Sequence, residues 1–133
     1  MPKLFLTSPH SGEEIPPEAS WLAKLEEIVL MRDVDRYVDQ LYEPAAKDLG
    51  IKLIRARWHR YAADLNRTKE DVDPTCVIGA KSGGSFPEGM GIHWSSTTLG
   101  EKLMPQPISQ ELHEVLVEKY HKTFHDEIRN TYS

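Results

Sequence analysis

Cysteine is almost missing from this chain. Cys76 stands alone among 133 residues, so no intrachain disulfide can form, and a reducing, cytoplasmic setting is expected. No apolar run approaches the ~20 residues of a membrane-spanning helix, so no membrane association is expected. The opening Met1-Pro2-Lys3-Leu4-Phe5-Leu6 turns polar too soon for a secretory leader. Positive charge is in deficit: 16 Lys and Arg face 21 Asp and Glu, a net charge of -5. That balance disfavours a nucleic-acid partner, which needs concentrated cations to displace counterions, yet it leaves room for a small cationic pocket. Internal repeats and a heptad seam are also lacking. What remains is 39% hydrophobic and 28% charged residues, an ordinary folded composition. At ~150 residues per domain the chain makes one domain, residues 1–133.

Residues 3–7 form a short apolar block that runs into the turn formers Ser8-Pro9-His10-Ser11-Gly12, which predicts a strand ending in a loop. After Pro16 and Pro17, the spacing of Leu22, Leu25, Ile28 and Val29 predicts a helix over 20–31. The clearest helix is predicted over 34–49, with Val34, Val38, Leu41, Tyr42, Ala45 and Leu49 on one stripe. Pro44 is expected to kink or divide it, and Gly50 is placed to cap it. Residues 51–57 read as a second strand, completing a βαβ unit, and 58–67 as a further short extended segment. Over 68–107 the pattern dissolves into Gly, Pro, Ser and Thr, a stretch either functional or poorly ordered. A closing helix over 108–128 follows from Ile108, Leu112, Val115, Leu116, Tyr120, Phe124 and Ile128, with Ser109 as its N-cap. The result is an α/β protein with a mostly parallel sheet flanked by helices. Two or three strands are few for such a sheet, which normally shares its burial among several, so the sheet looks incomplete.

Four groups of residues can carry chemistry. His10 and Glu13 stand three apart at the carboxyl end of the first strand, where open α/β sheets bind ligands. An imidazole and a carboxylate so spaced can reach one zinc ion at ~2 Å; the plain alternative is a turn histidine and a solvated glutamate. Arg60 precedes Asp64-Leu65-Asn66-Arg67. A guanidinium fork suits bidentate capture of a carboxylate and an Asn amide adds a neutral donor, against the commoner fate of an arginine in a surface ion pair with Asp64 or Glu70. Asp33 and Asp35 open the clearest helix, where the macrodipole alone favours acids, though either can also serve a metal. His121 and His125 share a helix face, but Lys122 occupies the place of the general base in a His-Glu-x-x-His zinc site. That leaves His121 as a hydrogen-bond donor to a site or an ordinary helix histidine. The glycine-rich run Gly79-Ala80-Lys81-Ser82-Gly83-Gly84-Ser85 lacks phosphate-loop spacing and reads better as a lid or substrate loop, so nucleotide binding is disfavoured. Cys76 has no neighbours that would activate a thiol.

In order along the chain, Ser8-Pro9-His10-Ser11-Gly12, Asp33-x-Asp35 with Gln40-Leu41-Tyr42, Arg60 through Asp64-Leu65-Asn66-Arg67, and Lys119-Tyr120-His121 resemble the N-formylglutamate amidohydrolase family. The resemblance implies kinship with zinc carboxypeptidases and succinylglutamate desuccinylase, hence a three-layer α/β/α fold. It further implies a metal-dependent amidohydrolase that cleaves an N-acyl amino acid such as N-formylglutamate to formate and glutamate. The divalent metal, zinc by analogy, would be bound by His10 with Glu13 or Asp35. The substrate would be held by Arg60, Asn66, Arg67 and His121; no general base is assigned. Family members are considerably longer, and a further metal ligand lies in an Asp-x-His-Ser motif on their next strand. The chain is therefore expected to be the N-terminal part of a longer hydrolase domain. Alone it should be weakly active or inactive, prone to self-association or to pairing with a complementary C-terminal fragment. The competing expectation is a degenerate, non-catalytic carboxylate-binding or assembly domain.

Overall fold

The structure, a computed structural model, describes residues 4–81 and 86–132. Two strands, β1 (Phe5–Ser8) and β2 (Lys52–Arg55), pair in parallel with Phe5 opposite Lys52 and Ser8 opposite Arg55. The helix α2 (Val38–Leu49) connects them and packs against both. This is the βαβ arrangement expected, and among the described residues the sheet has only these two strands.

The pairing continues loosely beyond the strand ends. The Ala56 amide donates to Ser8 O at 2.8 Å, and Glu14 bridges Trp58 in parallel. Residues 9–13 are thus an excursion between two points at which the chain is pinned to the second strand and its extension. Gly12 permits it: a Cβ there would collide with the Trp58 carbonyl. The loop carrying His10 is thereby pressed against the segment leading to Asp64.

The expected helix over 20–31 is instead a 3₁₀ helix, Pro17–Lys24, and a single α-turn, α1 (Glu27–Leu30), separated by an extended Leu25. Ala19 is itself non-helical, with φ -101° and ψ 50°. Ile28, assigned to the buried stripe by its spacing, is exposed. The helix expected from 34 begins at Val38, because Tyr37 adopts a left-handed conformation at φ 67°. It runs through Pro44 without division, and Gly50, at φ 66°, caps it as expected. Its predicted stripe is not buried. Leu41 and Leu49 are 73% and 70% exposed, and Ala46 is the buried residue. A small side chain lets the helix axis approach the two strands, and larger apolar groups are left on the outer face.

Residues 58–67 form turns rather than a strand. They are nonetheless deeply placed: Tyr61, Ala62, Ala63, Asp64 and Leu65 are all buried. The Gly- and Ser-rich stretch that follows is well packed in its described part. Isolated bridges Val77–Ile108, Met90–Trp94 and Ser96–Lys102 fold it over the domain, burying Cys76, Ile92, His93, Trp94, Leu103 and Met104. Ser82 to Ser85 of the glycine-rich run lie outside the described residues.

The closing helix starts as expected, with Ser109 Oγ accepting from the Leu112 amide at 3.1 Å. It comprises α3 (Gln110–Leu116), a π-helical stretch Val117–Lys122 and α4 (Thr123–Tyr132). Leu116 and Tyr120 pack with Val77, Met104 and Ile108, and Phe124 packs with Ile54, Ala56 and Leu65 beneath the sheet. No helix among the described residues is long and apolar enough to cross a membrane.

Candidate functional site

Asp64 is the hub of the polar interior. Its side chain is fully buried and five hydrogen bonds converge on its two oxygens. Oδ1 accepts from His10 Nε2 at 2.6 Å and from the Asn66 amide at 3.0 Å. Oδ2 accepts from Arg60 Nη2 at 3.0 Å, Arg60 Nε at 3.3 Å and Trp94 Nε1 at 3.0 Å. Burial by itself would push this carboxyl up, but the His10 bond, the Arg60 charge and the Asn66 amide together hold it at about 2. It is a carboxylate at any physiological pH.

His10 stands in the loop past β1, its Nε2–H committed to Asp64. Its Nδ1 faces Asp35 Oδ2 at 3.8 Å, and the Asp35 amide donates back to His10 O at 2.9 Å. Glu13 turns to Arg36, 3.2 Å away. Asp33 accepts from the Tyr61 hydroxyl at 2.6 Å and from the Thr98 hydroxyl and amide, while its carbonyl accepts from Arg60 Nη1 at 2.7 Å. Burial and the Asp33 bond both push the Tyr61 phenol upward, so it stays protonated as a donor.

All three Arg60 nitrogens are therefore engaged by Asp64 and Asp33, and its guanidinium lies 4.7 Å from the Trp94 ring centroid. Arg67 is held differently. Nε donates to Met90 O at 3.0 Å and Nη1 to Asn66 O at 3.2 Å, with Asp64 Oδ2 4.0 Å off. Its Cζ lies 3.6 Å from the Phe86 ring centroid. Burial pulls its pKa down, opposed by the charge of Asp64. Among the described residues, Nη2 has no hydrogen bond. Asn66 is exposed beside it. His121 places Nε2 2.6 Å from the Arg67 carbonyl, on the backbone of the loop rather than beside the guanidinium.

His10, Asp35, Asp64, Arg60 and Arg67 thus form one connected cluster; Glu13 is drawn off by Arg36 and His121 reaches the cluster through the main chain. Asp64 was visible in the sequence only as part of its motif. Its signal was there: a charged residue flanked by Tyr61, Ala62, Ala63 and Leu65, with an arginine four residues back, describes a buried ion pair rather than a surface one. Trp94 and Thr98 come from the irregular stretch, where no periodicity marked them.

Among the described residues, no group of three or more His, Cys, Asp or Glu is arranged to hold a metal ion. One pair does suit it. Two ligands on a tetrahedral zinc, with bonds of about 2.1 Å, lie about 3.4 Å apart, close to the 3.8 Å between His10 Nδ1 and Asp35 Oδ2. The bond from His10 Nε2–H to a buried carboxylate is also the arrangement that orients a metal-binding imidazole.

Fold and cluster together define an α/β domain that gathers an imidazole, aspartates and arginines beyond the carboxyl end of a parallel strand. Comparison with known proteins gives this class a family. The N-formylglutamate amidohydrolase family profile matches residues 3–133, and the chain belongs to that family. An N-formylglutamate deformylase of Pseudomonas aeruginosa is 32% identical over 68 residues, 51% of this chain and 25% of that protein. An enzyme of the same name from Pseudomonas putida is 34% identical over 80 residues, 60% of this chain and 28% of that protein. The crystal structure of N-formylglutamate amidohydrolase from Ralstonia eutropha JMP134 shares the fold, with a TM-score of 0.77 at 23% identity. That match covers 99% of this chain and 48% of the other, so the chain spans about half the length of that relative.

Proposed function

We propose that this chain carries the carboxylate-anchoring side, and part of the metal site, of an amidohydrolase acting on an N-acyl amino acid such as N-formylglutamate, with formate and glutamate as products. The observation that carries the reading is the Asp64 hub, a single buried carboxylate that binds His10 and has the Arg67 guanidinium 4.0 Å away, in a chain whose relatives are named for that reaction. The sheet is read as the seed of a three-layer, carboxypeptidase-like α/β/α fold.

Each side chain then has a definable task. The Asp64 carboxylate accepts from His10 Nε2–H, a tautomer that leaves the Nδ1 lone pair directed toward Asp35. His10 and Asp35 would hold a divalent metal, with zinc the best fit to an imidazole and a carboxylate. Such an ion, when bound, polarises the acyl carbonyl and lowers the pKa of a bound water to about 7. Arg67 offers Nη2 to a substrate carboxylate, and the exposed Asn66 amide beside it adds a neutral donor. Arg60, saturated by Asp64 and Asp33, supports this arrangement from beneath. Two ligands are one fewer than the three protein ligands a catalytic zinc normally takes. These residues alone are therefore read as a weak metal site and a poor catalyst.

The decisive experiment pairs metal content with formate release. Zinc binding followed by calorimetry should be weak in the parent chain and lost in His10→Ala, while Arg67→Ala should bind the metal as the parent does but lose N-formylglutamate affinity by about 2–5 kcal/mol. Metal uptake indifferent to His10, together with substrate binding indifferent to Arg67, would put the site elsewhere.

A further inference from the structure

The loop that carries Asp64, Asn66 and Arg67 has three main-chain carbonyls that no helix or strand takes up, and each is met by an imidazole. His93 Nδ1 lies 2.5 Å from Ala62 O, His125 Nε2 2.8 Å from Leu65 O, and His121 Nε2 2.6 Å from Arg67 O. A carbonyl oxygen only accepts, so each of these nitrogens carries the proton. That sets the Nε2–H tautomer at His121 and His125. At His93 it sets Nδ1–H, and the other ring nitrogen accepts from His113 Nδ1–H at 2.7 Å. Four of the chain's six histidines are thus gathered around one loop, three of them from the closing helix.

The helix is shaped to allow this. On an unbroken α-helix, His113 and His121 would lie about 80° apart around the axis. The π-helical stretch Val117–Lys122, with its i→i+5 bonds, turns less per residue and takes up that offset. His125 follows one turn later, its ring centroid 4.4 Å from that of His121.

We infer that His121 and His125 are positioning residues, which grip the carbonyls of Arg67 and Leu65 and thereby fix the angle at which Asn66 and Arg67 meet the substrate carboxylate. The inference rests on the reading of Asn66 and Arg67 as the carboxylate anchor and extends it to the helix behind them. Neither histidine touches the substrate. Each acts on the main chain one residue to either side of Asn66, where a displacement of about 1 Å is enough to cost binding and turnover.

The test begins with the unaltered protein. Nitrogen NMR of the imidazoles should report Nε2–H at both His121 and His125; Nδ1–H at both would overturn the clamp without any variant being made. In His121→Leu/His125→Leu, amide exchange at Asn66 and Arg67 should rise about tenfold, the equivalent of a lost hydrogen bond, while exchange at Ala56, beside the sheet, stays at the parent rate. Affinity for N-formylglutamate should fall by a similar factor, and Gln at both positions, which restores an N–H donor, should recover both readouts. Uniformly faster exchange throughout the chain, or no recovery with Gln, would mean ordinary packing and overturn the inference. Should the double variant fail to fold, the single variants carry the same comparison, each retaining one grip. A parent protein that does not bind N-formylglutamate would defeat the anchor reading alone, since the tautomer and exchange readouts still decide the clamp.

Discussion

Replacing Asp64 by asparagine keeps the outline of the side chain, removes its charge and turns one acceptor into a donor. Five hydrogen bonds now end on the two Asp64 oxygens. A carboxamide offers one oxygen, so either His10 and the Asn66 amide or Arg60 and Trp94 would face an N–H instead. Arg60, with its side chain only 11% exposed, would also lose its counter-charge. Breaking a buried pair from one side costs about 3–5 kcal/mol, because the remaining charge is left uncompensated. At roughly 3–5 °C per kcal/mol for a domain of this size, melting should fall by about 10–20 °C. The carboxyl is held at about 2 from an ordinary 3.8. Its contribution is therefore complete above pH 4 and is lost as pH falls toward 2, and the gap between parent and variant should narrow over the same interval. Asp35→Asn, at a side chain 55% exposed, is the control and should cost less than about 1 kcal/mol. Calorimetric melts of the three proteins at pH 7 and pH 3 decide the matter. If Asp64→Asn and Asp35→Asn melt within 2 °C of one another at pH 7, roughly the error of such a comparison, Asp64 is not a buried counter-ion and the hub is misassigned.

Acid should weaken the fold well before the carboxylates titrate. Burial lowers His59 and His93 to about 4, against the opposing bonds to the Leu30 and Ala62 carbonyls. Below pH 6.5 the unfolded chain therefore takes up protons that the folded one refuses, and stability is lost progressively from pH 6.5 to 4, by up to about 3 kcal/mol for each histidine. Urea midpoints that stay level between pH 7 and 4.5 would contradict this. At Gly12 an added methyl meets the Trp58 backbone carbonyl, so Gly12→Ala should lose about 3 kcal/mol in urea titration. Gly50→Asn, at an open left-handed cap, should change little; equal midpoints for the two variants would show that the loop after β1 can move aside.

The elements most legible in the sequence were those whose local signals agree with their burial. Ser109 followed by apolar residues three and four apart describes the closing helix, and the structure begins it there. The segment over 20–31 shows how the same signal misleads. Leu22 and Leu25 have helical spacing, but the Pro16–Pro17 pair and an extended Leu25 break the run into a 3₁₀ helix and one α-turn, with Ile28 outside. In α2 the period was right and the face was wrong. Periodicity reports that apolar groups share a side, not which side meets the sheet, and close approach to two strands selected Ala46 over Leu41 and Leu49. The π-helical stretch had no signature, since a change in pitch leaves no mark on an apolar pattern read at 3.6 residues per turn.

The candidate site divides along a similar physical line. The residues proposed to carry the chemistry, His10, Asp35 and Arg67, could be named from residue type and motif, and the structure brings them into one cluster. What motif reading could not supply is which group each of them faces. Glu13 fits a metal pair by spacing, yet Arg36 lies within 3.2 Å and takes it. Arg60 suits a substrate carboxylate by chemistry, yet its nitrogens are filled from within. A charged group in a protein interior is directed by the nearest group able to satisfy it, because an unpaired buried charge costs more than any single hydrogen bond returns. Those partners come from loops remote in sequence: Asp33 before α2 and Trp94 in the irregular stretch. The same reasoning makes Asp64, rather than the more conspicuous histidine or arginines, the residue on which the cluster depends. It alone is held by groups from the His10 loop, from its own turn and from the 94 region at once, so a change there disturbs all three, whereas a change at Asp35 disturbs one.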